Sequence, residues 1–290
     1  MAVSRAEIVD AAFVRHVEGL QAAPRQADLD QPVRPGSALS ARQAIAIFDC
    51  QIESRHCDLL SRELKSSGRS WYTIGSSGHE GNAAVAWAVR PTDPAFLHYR
   101  SGGFFCARAR QVPGTQGAFD IIQGVVAAAD EPIAGGRHKV FGSLALEIPP
   151  QTSTIASHLP KAMGCAVAID RRARLLGVDD DRIAVCNFGD ASSNHSTATG
   201  AFNAAGWAAF QNVPVPVLWV CEDNGIGISV RTPDGWVAHA HASDPRAAYF
   251  ACDGLDLVET YDTALAAATF VRERRKPAFL HVRTVRLMGH

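Results

Sequence analysis

The sequence predicts an α/β protein with a mainly parallel sheet flanked by helices on both faces. Two short apolar runs, residues 183–188 and 215–221, bracket a small-residue helical stretch from about 194 to 210, which is the strand, helix, strand order of a βαβ unit. Both runs are nearly continuous in apolar residues and do not alternate, as strands covered on both faces require. With 290 residues, 47% of them hydrophobic, the chain can bury a large core as one large domain or two small ones.

Taken in order, residues 1–36 read as a short helix and a linker, because Pro24, Pro32 and Pro35 break any long helix there. From Ser40 to about Lys65, apolar residues such as Ala44, Ile47, Phe48, Leu59 and Leu60 recur at helical spacing until the stop at Ser66-Ser67-Gly68. A turn at Gly75-Ser76-Ser77-Gly78 leads into a small-residue helix over about 79–89, ended by Arg90-Pro91. Another helix is expected over 117–129, followed by a loop over 132–139. Residues 154–176 read as a helix rich in Ala and Gly, with Pro160 in its first turn. After the βαβ unit, a helix starting near Thr263 leads to a last strand over 279–285. The sequence has no internal repeat and no low-complexity segment.

Composition narrows the function. A formal net charge of −1, from 28 basic and 29 acidic residues, gives no electrostatic case for nucleic acid or for an anionic membrane surface, so small-molecule chemistry is expected. The seven cysteines form no C-x-x-C pair, and several sit inside apolar runs, as reduced cytoplasmic thiols do. The N-terminal stretch mixes charges with apolar residues and lacks the apolar core of a signal peptide. No segment is long enough to span a bilayer.

In an open α/β sheet, ligands bind outside the carboxyl ends of the strands. Gly189-Asp190-Ala191-Ser192 follows the first apolar run, and Glu222-Asp223-Asn224-Gly225 follows the second. If the strands are neighbours, the Asp190 carboxylate and the Asn224 amide oxygen converge. A hard cation such as Mg²⁺ takes a few such oxygens and completes its shell with water and phosphate oxygens. Glycines at 189, 225 and 227 let the backbone approach a ligand, and the helix start that follows presents N–H groups to an anion.

Gly189-Asp190 and Asp223-Asn224 together resemble the thiamine-diphosphate motif. The segments around them resemble the α component (E1α) of 2-oxoacid dehydrogenase complexes, in that family's order, over roughly residues 37–290. His98-Tyr99-Arg100 resembles the Tyr-Arg pair set against the cofactor's aminopyrimidine and diphosphate. The segment from Ser153 to Pro160 resembles the branched-chain enzymes' Ser-Ser-Pro-Leu-Ala-Thr-Gln-Ile-Pro, which makes Ile155 the apolar wedge that keeps the cofactor bent. Arg286-Leu287-Met288-Gly289-His290 resembles the catalytic loop whose histidine lies beside the thiazolium. The pattern departs at Ala191, usually Gly, at Asp223, usually Asn, and at Val285, usually Tyr. His158 stands where branched-chain members carry a Gln beside a structural potassium ion. The interval from Gly189 to Asn224 exceeds the family pattern, which implies an extended helix or exit loop.

The resemblance implies a thiamine-diphosphate-binding fold and oxidative decarboxylation of a 2-oxoacid, branched-chain or pyruvate, with acyl transfer to a lipoylated E2 acyltransferase. By the match, Asp190, Asn224 and the Ile226 carbonyl hold Mg²⁺. Tyr99, Arg100, Ser153, Ile155, Gly189, Ala191 and Ser192 bind the cofactor, and His290 is catalytic. The glutamate that activates the aminopyrimidine belongs to an E1β component or domain, so an α2β2-type assembly or homo-oligomer is expected. The expected organisation is an extension over residues 1–36 and one domain over 37–290, truncated at His290 inside the catalytic loop or cut from an α-β fusion. An acetoin-type dehydrogenase α component shares every motif, and a non-catalytic assembly module keeping the fold stays open beside it. Elsewhere, His138, Asp130-Glu131, the acidic run 179–181 and the basic run 272–276 are read as exposed loop or helix-end residues, and Ser101-Gly102-Gly103 as a flexible stretch after Arg100.

Overall fold

The structure is a computed structural model that describes residues 4–21, 28–71, 73, 75–137 and 140–289. The first helix, α1 (Arg5–Glu18), starts at a Ser4–Glu7 capping box and buries none of its side chains. The second, α2 (Ala41–Ser66), starts at a Ser40–Gln43 box. Between them, Arg34 pairs with Asp256 at 2.7 Å and the Ser37 hydroxyl donates to Asp262 at 2.9 Å, which ties this stretch to the far end of the sequence.

The chain continues through α3 (Asn82–Ala88), β1 (Ala95–Phe96), α4 (Gly102–Arg110) and α5 (Gly117–Val125) to the hairpin β2 (Phe141–Ser143) and β3 (Ile148–Gln151). Then come α6 (Leu159–Leu176), β4 (Ala184–Gly189), a 3₁₀ turn (Asp190–Asn194) and α7 (Ser196–Phe210). After β5 (Val217–Asp223), a small hairpin of β6 (Ile226–Gly227) and β7 (Val230–Arg231) leads to α8 (Trp236–His241), β8 (Ala248–Asp253), α9 (Leu257–Arg274) and β9 (Ala278–Arg283).

Five strands form one parallel sheet in the order β1-β4-β5-β9-β8. Its two faces divide by residue parity. Val185, Leu218, Val220, Leu280 and Val282 face a core shared with α2, α3, α4 and α9. Ala184, Cys186, Phe188, Val217, Trp219, Cys221 and Phe279 face a second core shared with α6 and α7. Helices thus cover both faces, and the unalternating apolar runs follow directly.

Several expected boundaries shift. The helix expected from 79 starts at Asn82, because Ser76 to Gly81 are taken up by turn hydrogen bonds and the His79 side chain points into the interior. The helix expected to 129 stops at Val125, with Ala127 at φ +49° just beyond. The helix expected from 154 starts at Leu159, after Ala156 at φ +60°. The helix expected near Thr263 starts at Leu257, because the Asp256 carboxylate accepts N–H groups of Val258 and Glu259 at 2.9 and 3.0 Å. Gly102 and Gly103, expected in a flexible stretch, are helical instead. They form the buried first turn of α4, where a Cβ on Gly103 would lie 2.7 Å from Asn82 Oδ1.

The charged runs are less exposed than expected. Arg272 reaches the buried Asp93 at 2.7 Å, and Arg275 donates to the carbonyls of Asp181 and Arg182. Glu131 is buried and caps its own turn through the N–H groups of Ile133 and Ala134. Among the described residues no helix is long and apolar enough to cross a membrane. All seven cysteines are free.

Candidate cofactor site

Strands β4 and β5 are neighbours, and Gly189 pairs with Glu222 in register, so their carboxyl ends open side by side. A cleft of about 200 Å³ lies there. His98, Tyr99, Arg100 and Ile155 form one wall, and the turn from Gly189 through Asp190 and Ala191 to Ser192 forms its floor. Asn224, Ile226, Gly227 and Ile228 close the other side. Nine of the eleven residues singled out from sequence therefore line one cleft. Ser153 does not line it; it is exposed, two positions before Ile155. His290 and His138 lie outside the described residues.

The Asp190 side chain accepts a hydrogen bond from the Thr232 hydroxyl and is 2% exposed. Burial pushes its carboxyl pKa up; the Thr232 bond opposes this, and the nearby Asp223 charge adds to it. Asp223 shifts the other way. Burial works to raise it, but the His281 hydrogen bond at 2.9 Å and the Gly225 N–H at 3.0 Å prevail and hold its carboxyl below the ordinary range. His281 in turn contacts the Tyr249 hydroxyl at 2.7 Å.

Parity explains why these groups meet. Asp223 and His281 continue the face of β5 and β9 that carries Cys221 and Phe279, whereas Asn187 and Glu222 continue the opposite face. There Glu222, fully buried, accepts from Asn187 Nδ2 at 3.1 Å and Asn82 Nδ2 at 3.1 Å, and contacts His79 Nδ1 at 2.8 Å. On the cleft wall, Arg100 is 2% exposed, donates to the Gly75 carbonyl and stacks 4.9 Å from the Tyr99 ring centre. The hairpin after Asn224 approaches the floor so closely that a Cβ on Gly227 would lie 2.5 Å from Ala191 Cβ.

Chemically, the cleft brings the buried Asp190 carboxylate and the Asn224 side-chain amide together beside the buried Arg100 guanidinium. Among the described residues no group of three or more His, Cys, Asp or Glu side chains is placed to hold a metal ion by itself. The buried Asp190 carboxylate, whose pKa burial raises, fits a hard cation, and the buried Arg100 guanidinium on the same cleft fits an anionic diphosphate.

Residues 49–290 match the family described as Dehydrogenase E1 component. The chain belongs to that family. Membership implies use of thiamine diphosphate. The chain is 26% identical over 238 residues to the mitochondrial 2-oxoisovalerate dehydrogenase subunit alpha of Caenorhabditis elegans, covering 80% of this chain and 51% of that protein. It is 25% identical over 265 residues to subunit alpha 2 of the same mitochondrial enzyme from Arabidopsis thaliana, covering 87% and 51%. It is also 28% identical over 160 residues to the pyruvate dehydrogenase E1 component subunit alpha of Zymomonas mobilis, covering 53% and 39%. This E1α-like chain spans about half the length of the two 2-oxoisovalerate relatives.

Sequence reasoning missed Thr232, His281, His79, Asn82, Asn187 and Glu222. One signal was available: Asn187 and Glu222 are polar residues on the same inward parity of otherwise apolar strands, which marks a buried polar network.

Proposed function

We propose that this chain is the α half of a 2-oxoacid dehydrogenase E1 and carries half of a magnesium thiamine-diphosphate site. The supporting observation is the convergence of Asp190, Asn224, Tyr99, Arg100 and Ile155 on one cleft at the ends of β4 and β5. Under this reading Asp190, Asn224 and the Ile226 carbonyl would hold Mg²⁺. Arg100 and the N–H groups of Ala191 and Ser192 would take the diphosphate, with Gly189 letting the backbone come close to it. Tyr99 would pack against the aminopyrimidine, Ile155 would act as the apolar wedge, and Ser153 would contribute from the edge. When bound, thiamine diphosphate supplies the carbanion chemistry that lets a 2-oxoacid lose carbon dioxide. His290 would hold or move a proton beside the reacting carbon. The remaining wall and the activating glutamate would come from an E1β component, and the acyl group would pass to a lipoylated E2 acyltransferase. Seven free thiols support a reducing, cytoplasmic setting.

Titration of thiamine diphosphate with Mg²⁺ into the chain and its β component by calorimetry tests the site. Asp190→Ala should weaken binding at least about tenfold, because it removes the anionic metal ligand. Absence of binding in the wild type would instead favour a non-catalytic module. Turnover on a panel of 2-oxoacids and acetoin then fixes the substrate class, with acetoin alone overturning the 2-oxoacid assignment.

A further inference from the structure

We infer that His79 is a positioning residue for Asn224, holding its side-chain amide with the oxygen turned to the cation site. The inference rests on the reading of Asn224 as a metal ligand. Its basis is a chain of hydrogen bonds that admits one assignment of donors, because both ends are backbone N–H groups that can only donate.

At the inner end, the N–H of Phe104 in the first turn of α4 meets Asn82 Oδ1 at 2.6 Å, so Asn82 presents Nδ2 to Glu222. Glu222 receives that amide on Oε2 and the Asn187 amide on Oε1. With donors on both oxygens, the carboxylate acts as an acceptor, and His79 Nδ1 at 2.8 Å carries the hydrogen. His79 Nε2 is then bare. The only hydrogen-bearing atom that Asn224 can offer at 2.8 Å is Nδ2, which leaves Oδ1 on the other side. There the second backbone donor, the N–H of Ile226, meets Oδ1 at 3.0 Å, and Asn224 lines the cleft. His79 and Glu222 are fully buried and Asn82 is 1% exposed, so water does not substitute for the inner partners, while Asn224 is half-buried at the cleft.

A primary amide has two ends of similar size and opposite polarity. Turned over, Asn224 would present an NH₂ group to the cation. His79 prevents this by requiring a donor at Nε2, and Glu222 holds His79 in the tautomer that makes the requirement. Such partners behind a metal ligand are commonly worth about 10- to 100-fold in metal affinity.

The test is a Mg²⁺ titration at saturating thiamine diphosphate, on the chain with its β component, in wild type, His79→Leu and His79→Gln. Leucine removes both polar contacts and should weaken Mg²⁺ about 10- to 100-fold. Glutamine can donate to Glu222 and accept from Asn224, and should recover most of the loss. Thermal melts without Mg²⁺ separate a purely structural effect, which would lower the melt of His79→Leu without changing Mg²⁺ affinity. Leucine binding Mg²⁺ within about twofold of wild type, or leucine and glutamine losing affinity equally, overturns the inference while leaving the site assignment standing. No Mg²⁺ binding in wild type overturns the site itself. If His79→Leu does not fold, the imidazole nitrogen spectrum of the wild-type chain decides, with the His79 signal assigned by its loss in His79→Gln. Hydrogen on Nδ1 is the expected result, and hydrogen on Nε2 overturns the inference.

Discussion

His158, 3% exposed at the start of α6, contacts the Asn187 carbonyl through Nε2 at 2.7 Å. A carbonyl only accepts, so Nε2 bears the hydrogen. Burial pulls the His158 pKa down to about 4 from 6.5, with the carbonyl bond opposing and Lys161 assisting. Between those values the unfolded chain binds a proton that the folded chain refuses. The contribution to stability is therefore complete above about pH 6.5 and is lost as pH falls toward about 4. His158→Gln keeps an N–H donor and removes the titration, so its stability should fall less steeply with acid, by up to about 1.4 kcal/mol per pH unit in that window. Urea denaturation at a series of pH values measures the slopes; equal slopes would show that His158 titrates normally in the fold. His241, also held near 4 by burial, is unchanged in the variant and cancels from the comparison. At this scale, Asp190 and Asn224 were legible because a polar cluster directly after an apolar run names its own position at a strand end. His79 and Thr232 were not, since each comes from a loop whose neighbours are set only by which helix and hairpin cover the strand ends.

At the scale of elements, the approach to α3 is fixed by backbone contact. A Cβ on Gly81 would lie 2.1 Å from the Gly254 carbonyl oxygen, and one on Gly78, at φ +98°, would lie 2.0 Å from that of Val285. The obstacles are backbone on the turn after β8 and on the segment after β9, so neither can rotate away. Gly81→Ala should cost about 1–3 kcal/mol, as overpacking does, and a thermal melt should drop by several degrees. A melt unchanged within error would mean that the α3 turn yields freely. This contact also carries His79 and Asn82 toward Glu222, so the fold at α3 and the polar network share one cause. Elements legible in the sequence, among them α2, β4, α7, β5, α9 and β9, carry an apolar face or run that the fold buries. Strand β8 escaped because it is the sheet edge and most of its residues are only partly buried, so its sequence lacks the unbroken apolar run of its neighbours. Strand β1 escaped because it contributes only Ala95 and Phe96. Helix α4 escaped because its first residues are two glycines, which signal a turn by propensity but here serve close packing against Ser54, Ser76 and Asn82.

For the whole molecule, the size of the cleft decides what it can do alone. About 200 Å³ is smaller than the ~300–1,000 Å³ of ordinary ligand pockets, although its floor and two walls are formed. Beside it Ile228 and Val230 are 59% and 71% exposed, an apolar edge next to a polar floor. Both features fit the proposed half-site, in which a β component supplies the remaining wall. A ligand that binds only the folded assembly stabilises it by RT ln(1 + [L]/Kd), which is about 2.7 kcal/mol at a hundredfold excess over Kd. At a concentration of magnesium thiamine diphosphate meeting that condition for the assembly, the chain alone should gain only a small part of this in a thermal melt and should show no decarboxylase turnover. Adding the β component should produce both the full stabilisation and the turnover. Full stabilisation of the isolated chain, or robust turnover by it, would mean that this cleft closes without a partner, and the half-site reading would fall.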